Sequence, residues 1–170
     1  DGRLHVIDAA TGAALAAVPI DGPTGTTPAV AGDRVFFGTE GGGFFGIDFQ
    51  RGDVAWRSQA AAGQSYRSSA ALAADLAIVG SRGKAVEAFA LADGGKRWRR
   101  PMRGRVDAAP VIVSVAAAAQ EPRPAAIVAD AAGKVAILDA TTGDVLWEFD
   151  AGGGFVAGRV VIASDDGSVW

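Results

Sequence analysis

The stretch "ILDATTGDVLW" at residues 137–147 decides the fold, because the chain repeats it. Three earlier stretches are its variants: "VIDAATGAAL" at 6–15, "GIDFQRGDVAW" at 46–56 and "AFALADGGKRW" at 88–98. Each copy carries one turn glycine, and these are Gly12, Gly52, Gly94 and Gly143, separated by 40, 42 and 49 residues. A period of about 40–45 residues is typical of a repeat protein made of small four-stranded β units.

One unit can be followed strand by strand. Four short β-rich runs, separated by turns that contain Gly or Asp, are "TTPAVA" at 26–31, "RVFFG" at 34–38, "FFGID" at 44–48 and "VAWR" at 54–57. Such runs at regular intervals are typical of all-β proteins. No stretch has a sustained apolar period of 3.6 residues, so we predict no long helix.

The repeat predicts an all-β chain of four-stranded antiparallel β-propeller blades. Residues 1–170 would form one propeller segment. We expect three whole blades, at 26–58, 68–100 and 107–149, and two partial blades, at 1–18 and 155–170.

Tryptophans recur at a fixed place after the turn, on the fourth strand of each unit. Trp56, Trp98 and Trp147 follow their turn glycines by four residues, and Ala16 takes that place in the first copy. A large ring on the outermost strand can wedge between neighbouring blades and bury much apolar surface. We therefore expect the three tryptophans to be structural residues of the repeat.

Two further features recur in the units. Asp8, Asp48 and Asp139 precede their turn glycines by four residues, whereas Ala90 takes that place in the third copy. An aspartate there can accept backbone N–H groups of the turn. The first strands open with small residues, which suits strands that converge on a central channel.

Composition excludes several classes of site. A net charge of −3 and a pI of about 5.1 give no support to nucleic-acid binding. The chain has no cysteine, so disulfides, thiolate metal sites and a catalytic thiol are excluded within these residues. We expect no membrane-spanning segment, because no run of 18 apolar residues occurs. No signal peptide is visible at Asp1.

The repeat resembles a known family. The pattern D-x-x-T-G-x-x-x-W in "DATTGDVLW" at 139–147, the small-small-Pro strand openers and the turn in "DDGSVW" at 165–170 resemble the pyrroloquinoline-quinone-like (PQQ-like) β-propeller repeat. The WD40 repeat is less similar, because no Gly-His…Trp-Asp pair occurs. The resemblance implies a ring of seven or eight blades, of which this chain would supply about half as a fragment; closure into a four-bladed ring is the alternative.

The resemblance implies two classes of function. Quinoprotein alcohol dehydrogenases of this family bind the quinone with calcium held by Glu and Asn, beside a catalytic Asp and a vicinal disulfide. This chain has neither Cys nor Asn, so those motifs cannot be carried over onto its residues. Other members are non-catalytic, among them the propeller lipoprotein of the outer-membrane assembly machine and sensor propellers of bacterial Ser/Thr kinases.

We therefore expect a non-catalytic scaffold or binding module without a cofactor. Its partner would be a protein or peptide, and its location the periplasm or cell envelope of a bacterium. The alternatives are a fragment of a PQQ-dependent dehydrogenase, with PQQ and calcium, and a sensor propeller fused to a Ser/Thr kinase.

Four side chains are candidates for a binding site at the mouth of the channel. Arg67 and Asp107 occupy equivalent positions, three residues before the proline position of the first strand, and Tyr66 and Arg105 lie beside them. They could form a rim that binds an anion or a peptide, or structural ion pairs between adjacent blades. No catalytic, cofactor-binding or metal-binding residue is predicted.

Three other segments stand out. The arginine run "RWRRPMRGR" at 97–105 could mark an acidic partner or a solvated outer strand. The insertion at 114–126 could carry binding or be a plain Ala/Pro loop. The acidic "SDDGS" at 164–168 lacks the spacing of a calcium loop and is interpreted as a hairpin turn.

Overall fold

The computed structural model describes residues 2–115 and 121–153. In these residues the chain forms fourteen β-strands of three to seven residues and no helix. In chain order the strands are β1 (Arg3–Ile7), β2 (Ala14–Pro19), β3 (Ala29–Ala31), β4 (Arg34–Gly38), β5 (Gly43–Asp48), β6 (Asp53–Gln59), β7 (Ala71–Ala73), β8 (Leu76–Ser81), β9 (Ala85–Ala90), β10 (Lys96–Pro101), β11 (Val111–Val115), β12 (Arg123–Ala129), β13 (Lys134–Asp139) and β14 (Val145–Asp150).

The strands form four antiparallel sheets, each in sequence order. β1 and β2 make a two-stranded sheet, and β3–β6, β7–β10 and β11–β14 make three four-stranded sheets. A four-stranded meander is the blade of a propeller. The predicted all-β fold of four-stranded blades is confirmed. The partial blade predicted at 155–170 lies outside the described residues.

One glycine turn closes the last hairpin of each sheet. Gly12, Gly52, Gly94 and Gly143 all have φ between +69° and +75°. Each donates its N–H to the carbonyl four residues before it, at 2.8–2.9 Å. This left-handed conformation is costly for a residue with a Cβ, which is why glycine stands at all four turns.

Aspartate side chains complete three of these turns. Oδ1 of Asp8, Asp48 and Asp139 accepts the N–H groups two and three residues further on, at distances between 2.7 and 3.1 Å. In the first turn the Thr11 hydroxyl also donates to Asp8, at 2.8 Å, and lowers the pKa of that carboxyl. The side chain thus satisfies backbone donors that the tight turn would leave without partners.

Three apolar clusters lie between successive sheets. Alternate residues of a strand point to opposite faces, so each inner sheet packs one face on the sheet before it and the other on the sheet after it. Buried members of the three clusters, in chain order, are Val18, Phe37 and Ile47; then Phe36, Phe44, Val79 and Phe89; then Ile78, Val86, Val128 and Leu138.

Two tryptophans bind neighbouring sheets together. The Trp56 indole N–H donates to the Leu91 carbonyl at 2.9 Å, and the Trp98 indole N–H to the Ala140 carbonyl at 3.0 Å. Each ring lies on the glycine turn of the following sheet: a Cβ added at Gly94 would lie 2.4 Å from the Trp56 ring. The absence of a side chain at the turn is therefore what lets the ring approach.

Trp147 is not buried between two sheets as the repeat predicts. Its side chain is 49% exposed, and its ring stacks on Phe149 with a centroid distance of 6.0 Å and an interplanar angle of 7°. The other two rings are covered by the sheet that follows them. Residues 155–170, which the repeat predicts to begin that next sheet, lie outside the described part of the chain.

A buried carboxylate lies between the sheets β3–β6 and β7–β10. Glu87 on β9 is 4% exposed. Its carboxylate accepts the Tyr66 hydroxyl at 2.5 Å and the Lys96 ammonium at 2.6 Å, with Arg99 Nε at 3.4 Å. A buried charge is costly unless it is paired and hydrogen-bonded, and these three donors provide that pairing.

Replacing Trp56 by Ala should destabilise the fold far more than replacing Trp147 by Ala. Trp56 is 8% exposed and contacts two phenylalanine rings and the next sheet, whereas Trp147 is half-exposed. We expect Trp56→Ala to lower the free energy of unfolding by about 3–5 kcal/mol and Trp147→Ala by less than half of that. Denaturant unfolding of both variants in dilute solution is the measurement. Equal losses of unfolding free energy would contradict the packing of Trp56 between two sheets.

Tyr66 should stay protonated in alkali for as long as the chain is folded. Burial raises the pKa of Tyr66 above its ordinary value, and the hydrogen bond to Glu87 adds to the shift. Tyr66 is the chain's one tyrosine, so tyrosinate absorbance reports this residue alone. The contribution of Tyr66 to the free energy of unfolding should therefore be complete below pH about 10. It should fall above that pH, because the unfolded chain releases the proton that the folded chain keeps.

The measurement is a spectrophotometric titration with and without denaturant. Tyr66→Phe removes the absorbance change and serves as the baseline. A tyrosinate band that develops in the folded chain near the ordinary pKa would contradict the burial of the hydroxyl.

Candidate functional site

The loops that join one sheet to the next lie on one side of the sheets, together with the turns between second and third strands. We call this side the loop face. The same backbone bond recurs along it, from a turn N–H to a loop carbonyl at 2.8–2.9 Å. The three pairs are Glu40 to Pro23, Arg82 to Ser65 and Ala131 to Arg105. These bonds fix each joining loop against a hairpin turn.

Two of these loops are also anchored by a buried side chain. Tyr66, 1% exposed, fills the space beside Gly38, where a Cβ would lie 2.2 Å from the Tyr66 Cβ. Val106, 0% exposed, fills the equivalent space beside Gly80. The glycines at the ends of β4 and β8 make room for these anchors, which hold the exposed loop residues next to them in place.

The placement of Tyr66 corrects the sequence expectation. Tyr66 was predicted to line the channel mouth beside Arg67, but it is a core residue that a partner at the surface would not touch. Its ring packs against Phe44 and Phe89, with centroids 5.6 and 6.2 Å away, and its hydroxyl is satisfied by Glu87. An aromatic ring with its one polar atom paired is more stable inside such a cluster than in water.

Arg67 lies on the loop face, in the loop after β6, and pairs with a turn of the preceding sheet, β3–β6. Its guanidinium forms an ion pair with Glu40, in the turn between β4 and β5. The side chains of Arg67 and Glu40 are 47% and 30% exposed. The pair is open to solvent, so it contributes little stability and can exchange partners.

Arg105 and Asp107 are brought together on the next loop. Arg105 Nε lies 2.8 Å from Asp107 Oδ2, and Arg82 Nε lies 3.2 Å from Asp107 Oδ1. The Asp107 side chain is 10% exposed, whereas Arg105 and Arg82 are 53% and 36% exposed. One largely covered carboxylate thus holds two guanidinium groups that face solvent.

Two cations on the loop face were not among the candidate site residues predicted from the sequence. Arg82 and Lys84 lie in the turn between β8 and β9, and both are exposed. Lys84 has φ +54°, in a turn position where the neighbouring sheets have Gly42 and Gly133 at φ +84° and +92°. Aligning these three turns would have shown a lysine where glycine is expected. A positive φ is uncommon for a residue with a Cβ and often marks a functional position.

Exposed positive charge therefore dominates this part of the loop face. We call Arg67, Arg82, Lys84 and Arg105 the basic rim. Its three arginines pair with two carboxylates, those of Glu40 and Asp107. The whole chain has a net charge of −3, so the basic rim is a local reversal of sign. Guanidinium groups in this arrangement can bind carboxylates through paired hydrogen bonds.

Most arginines of the run at 97–105 form ion pairs with carboxylates of the same chain. Each of four guanidinium groups pairs with a carboxylate of the same chain. The pairs are Arg97 with Asp93, Arg99 with Glu87, Arg100 with Asp144 and Arg103 with Asp150. The hydrogen bond from Arg103, 2.5 Å long, lowers the pKa of Asp150. These pairs favour a structural role for the run over a separate acidic-partner site.

The described residues contain neither a metal-binding cluster nor a membrane-spanning helix. Within 2–115 and 121–153, no group of three or more His, Cys, Asp or Glu side chains could hold a metal ion. The same ranges contain no helix that is long and apolar enough to cross a membrane. Residues 116–120 of the insertion and the acidic stretch at 164–168 lie outside the described residues.

Comparison with known proteins finds a family model and solved structures that resemble this chain. Residues 1–129 match the family model described as "Outer membrane protein assembly factor BamB". The crystal structure of BamB from Moraxella catarrhalis has a TM-score of 0.62 and 19% sequence identity, covering 85% of this chain and 40% of that chain. The quinohemoprotein alcohol dehydrogenase ADHIIG from Pseudomonas putida HK5 has a TM-score of 0.75 and 17% identity, covering 89% of this chain and 32% of that chain.

The chain spans less than half the length of both solved structures. A search of the curated proteins finds no match. Since the family model matches residues 1–129 and the sheets superpose on two PQQ-repeat propellers, this chain belongs to the BamB-like family of PQQ-repeat β-propeller proteins.

Proposed function

We propose that this chain is part of a non-catalytic propeller scaffold that binds a protein partner in the bacterial cell envelope. The family description, an outer-membrane assembly factor, supports both the class of function and the location. The fold supports the same role, because stacked sheets with anchored loops form a rigid platform for loop residues. The partner would bind on the loop face.

The observation that carries the proposal is the basic rim. Four exposed cations lie on adjacent loops and turns of an otherwise acidic chain, and Lys84 takes a backbone conformation that glycine normally takes. A partner segment rich in Asp or Glu fits this surface. The solvent-exposed pair of Arg67 with Glu40 can open to accept a partner carboxylate at small cost.

A quinoprotein dehydrogenase is the alternative that shares the fold. The family's quinone site uses Glu and Asn for calcium and a vicinal disulfide, but this chain has neither Asn nor Cys. The described residues also lack a side-chain cluster suited to a metal ion. The residues present do not fit the quinone and its calcium, so we derive no catalytic step.

The basic rim can be tested with a charge-reversal variant. We expect Arg67→Glu with Arg105→Glu to weaken binding of a fluorescein-labelled hexaglutamate peptide by about tenfold or more, because both changes replace attraction by repulsion. Fluorescence anisotropy at several salt concentrations is the measurement. The affinity for the unsubstituted chain should fall as salt rises, since the rim is exposed to solvent.

A matched double variant on other surfaces serves as the control. Arg51 and Arg97, with side chains 74% and 50% exposed, lie in the β5–β6 turn and on β10, away from the basic rim. Arg51→Glu with Arg97→Glu makes the same change in net charge and should alter the affinity by less than twofold. Equal losses for the two double variants would overturn the basic rim as the site.

A further inference from the structure

Lys84 differs from the other cations in the described part of the chain. Every other lysine and arginine side chain within residues 2–115 and 121–153 donates to a carboxylate or to a backbone carbonyl. Lys84 is exposed and has no such partner among these residues. Within the basic rim it is therefore the one ammonium or guanidinium group that no carboxylate of the chain already engages.

The backbone at Lys84 is held in a conformation that disfavours lysine. In each four-stranded sheet, the carbonyl at this turn position accepts an N–H group from just beyond the last strand, at 2.8–2.9 Å. The three carbonyls are those of Gly42, Lys84 and Gly133, where φ is +84°, +54° and +92°. A residue with a Cβ loses stability in this left-handed conformation, whereas glycine does not.

The length of the joining loop explains why a side chain can stand at this position in one sheet. A Cβ added at Gly42 would lie 2.6 Å from the carbonyl oxygen of Gln64, in the loop after β6. That loop has eleven residues (60–70), whereas the loop after β10 has nine (102–110). The shorter loop leaves this space to the Lys84 side chain. Space makes lysine possible there, but glycine would fit the same turn with less strain.

We propose that Lys84 is the specificity-determining cation of the basic rim, and that its ammonium group binds a carboxylate of the acidic partner segment. The proposal rests on the proposed function of the rim. Lys84 costs stability at its turn and makes no side-chain hydrogen bond or ion pair within the described residues, so the fold gives no reason for it. A partner carboxylate can reach Lys84 directly, whereas at the arginines of the rim it must first displace Glu40 or Asp107.

The test is the substitution Lys84→Gly, for which stability and binding should change in opposite directions. We expect the melting temperature to rise by about 2–4 °C, because glycine adopts the positive φ without strain. The affinity for a fluorescein-labelled hexaglutamate peptide should fall by about threefold to fivefold at low salt, because an exposed charge contact is lost. Lys84→Arg retains the charge and should bind within about twofold of the unsubstituted chain. Thermal unfolding and fluorescence anisotropy are the measurements.

Two controls separate strain from binding and a direct contact from overall charge. Ala74 has φ +50° in the β7–β8 turn, on the side opposite the loop face, where the preceding sheet has Gly32 at φ +56°. Ala74→Gly should raise the melting temperature by a similar amount and leave the affinity unchanged. Arg82→Gln removes the same charge two residues from Lys84. It should cost less than half as much affinity, because Asp107 already engages the Arg82 guanidinium.

The outcomes distinguish this inference from the proposed function. If Arg67→Glu with Arg105→Glu binds hexaglutamate as well as the unsubstituted chain, both fail together. If that double variant loses affinity but Lys84→Gly loses no more than Arg82→Gln, the assignment of Lys84 alone is overturned. Equal losses for Lys84→Arg and Lys84→Gly would overturn it as well, since charge would not be what the peptide contacts. A lower melting temperature for Lys84→Gly would do the same, because lysine would then stabilise the turn.

Discussion

The structure depends on the contact between a last-strand side chain and the glycine turn of the next sheet. A four-stranded sheet has two apolar faces and cannot bury either by itself. The indole rings of Trp56 and Trp98 approach the following sheet closely, because Gly94 and Gly143 have no side chain and adopt a positive φ. Their N–H groups find carbonyls there, so the contact leaves no polar atom without a partner.

Polar groups distinguish the sheet interfaces from one another. The interface between β3–β6 and β7–β10 contains Glu87, where the equivalent positions in the neighbouring sheets are Phe45 and Ala136. The carboxylate is stabilised by Tyr66 from the joining loop and by Lys96 from the outer strand. This network connects the core of the interface to the loop above it, and so it links sheet packing to the position of the exposed residue Arg67.

The position of the basic rim follows from this anchoring. Tyr66 and Val106 are the buried anchors of their loops. The cations beside them in the chain, Arg67 and Arg105, are exposed. A charged side chain on an anchored loop loses less conformational entropy on binding than one on a free loop. The matching family model is described as an outer-membrane assembly factor, and under the proposed function the basic rim would bind acidic segments of a protein partner.

Local patterns in the sequence were enough to predict most of the fold. The period, the Gly turns with their aspartates and the alternation of apolar residues follow from short-range chemistry, so strand order and sheet composition could be predicted. Only the tertiary structure decided which side chains reach the surface. Tyr66 is buried because Gly38 leaves it space and Glu87 accepts a hydrogen bond from its hydroxyl, and neither contact is visible in the residues around it.

The same limit applies to the basic rim and to the tryptophans. Arg82 pairs with Asp107, 25 residues further along the chain, and this pairing depends on how the loop after β10 folds back against the β8–β9 turn. Trp56 and Trp147 hold the same position in the repeat, yet one is 8% and the other 49% exposed. A repeat determines what each residue can contact, whereas burial depends on how the rest of the chain packs around it.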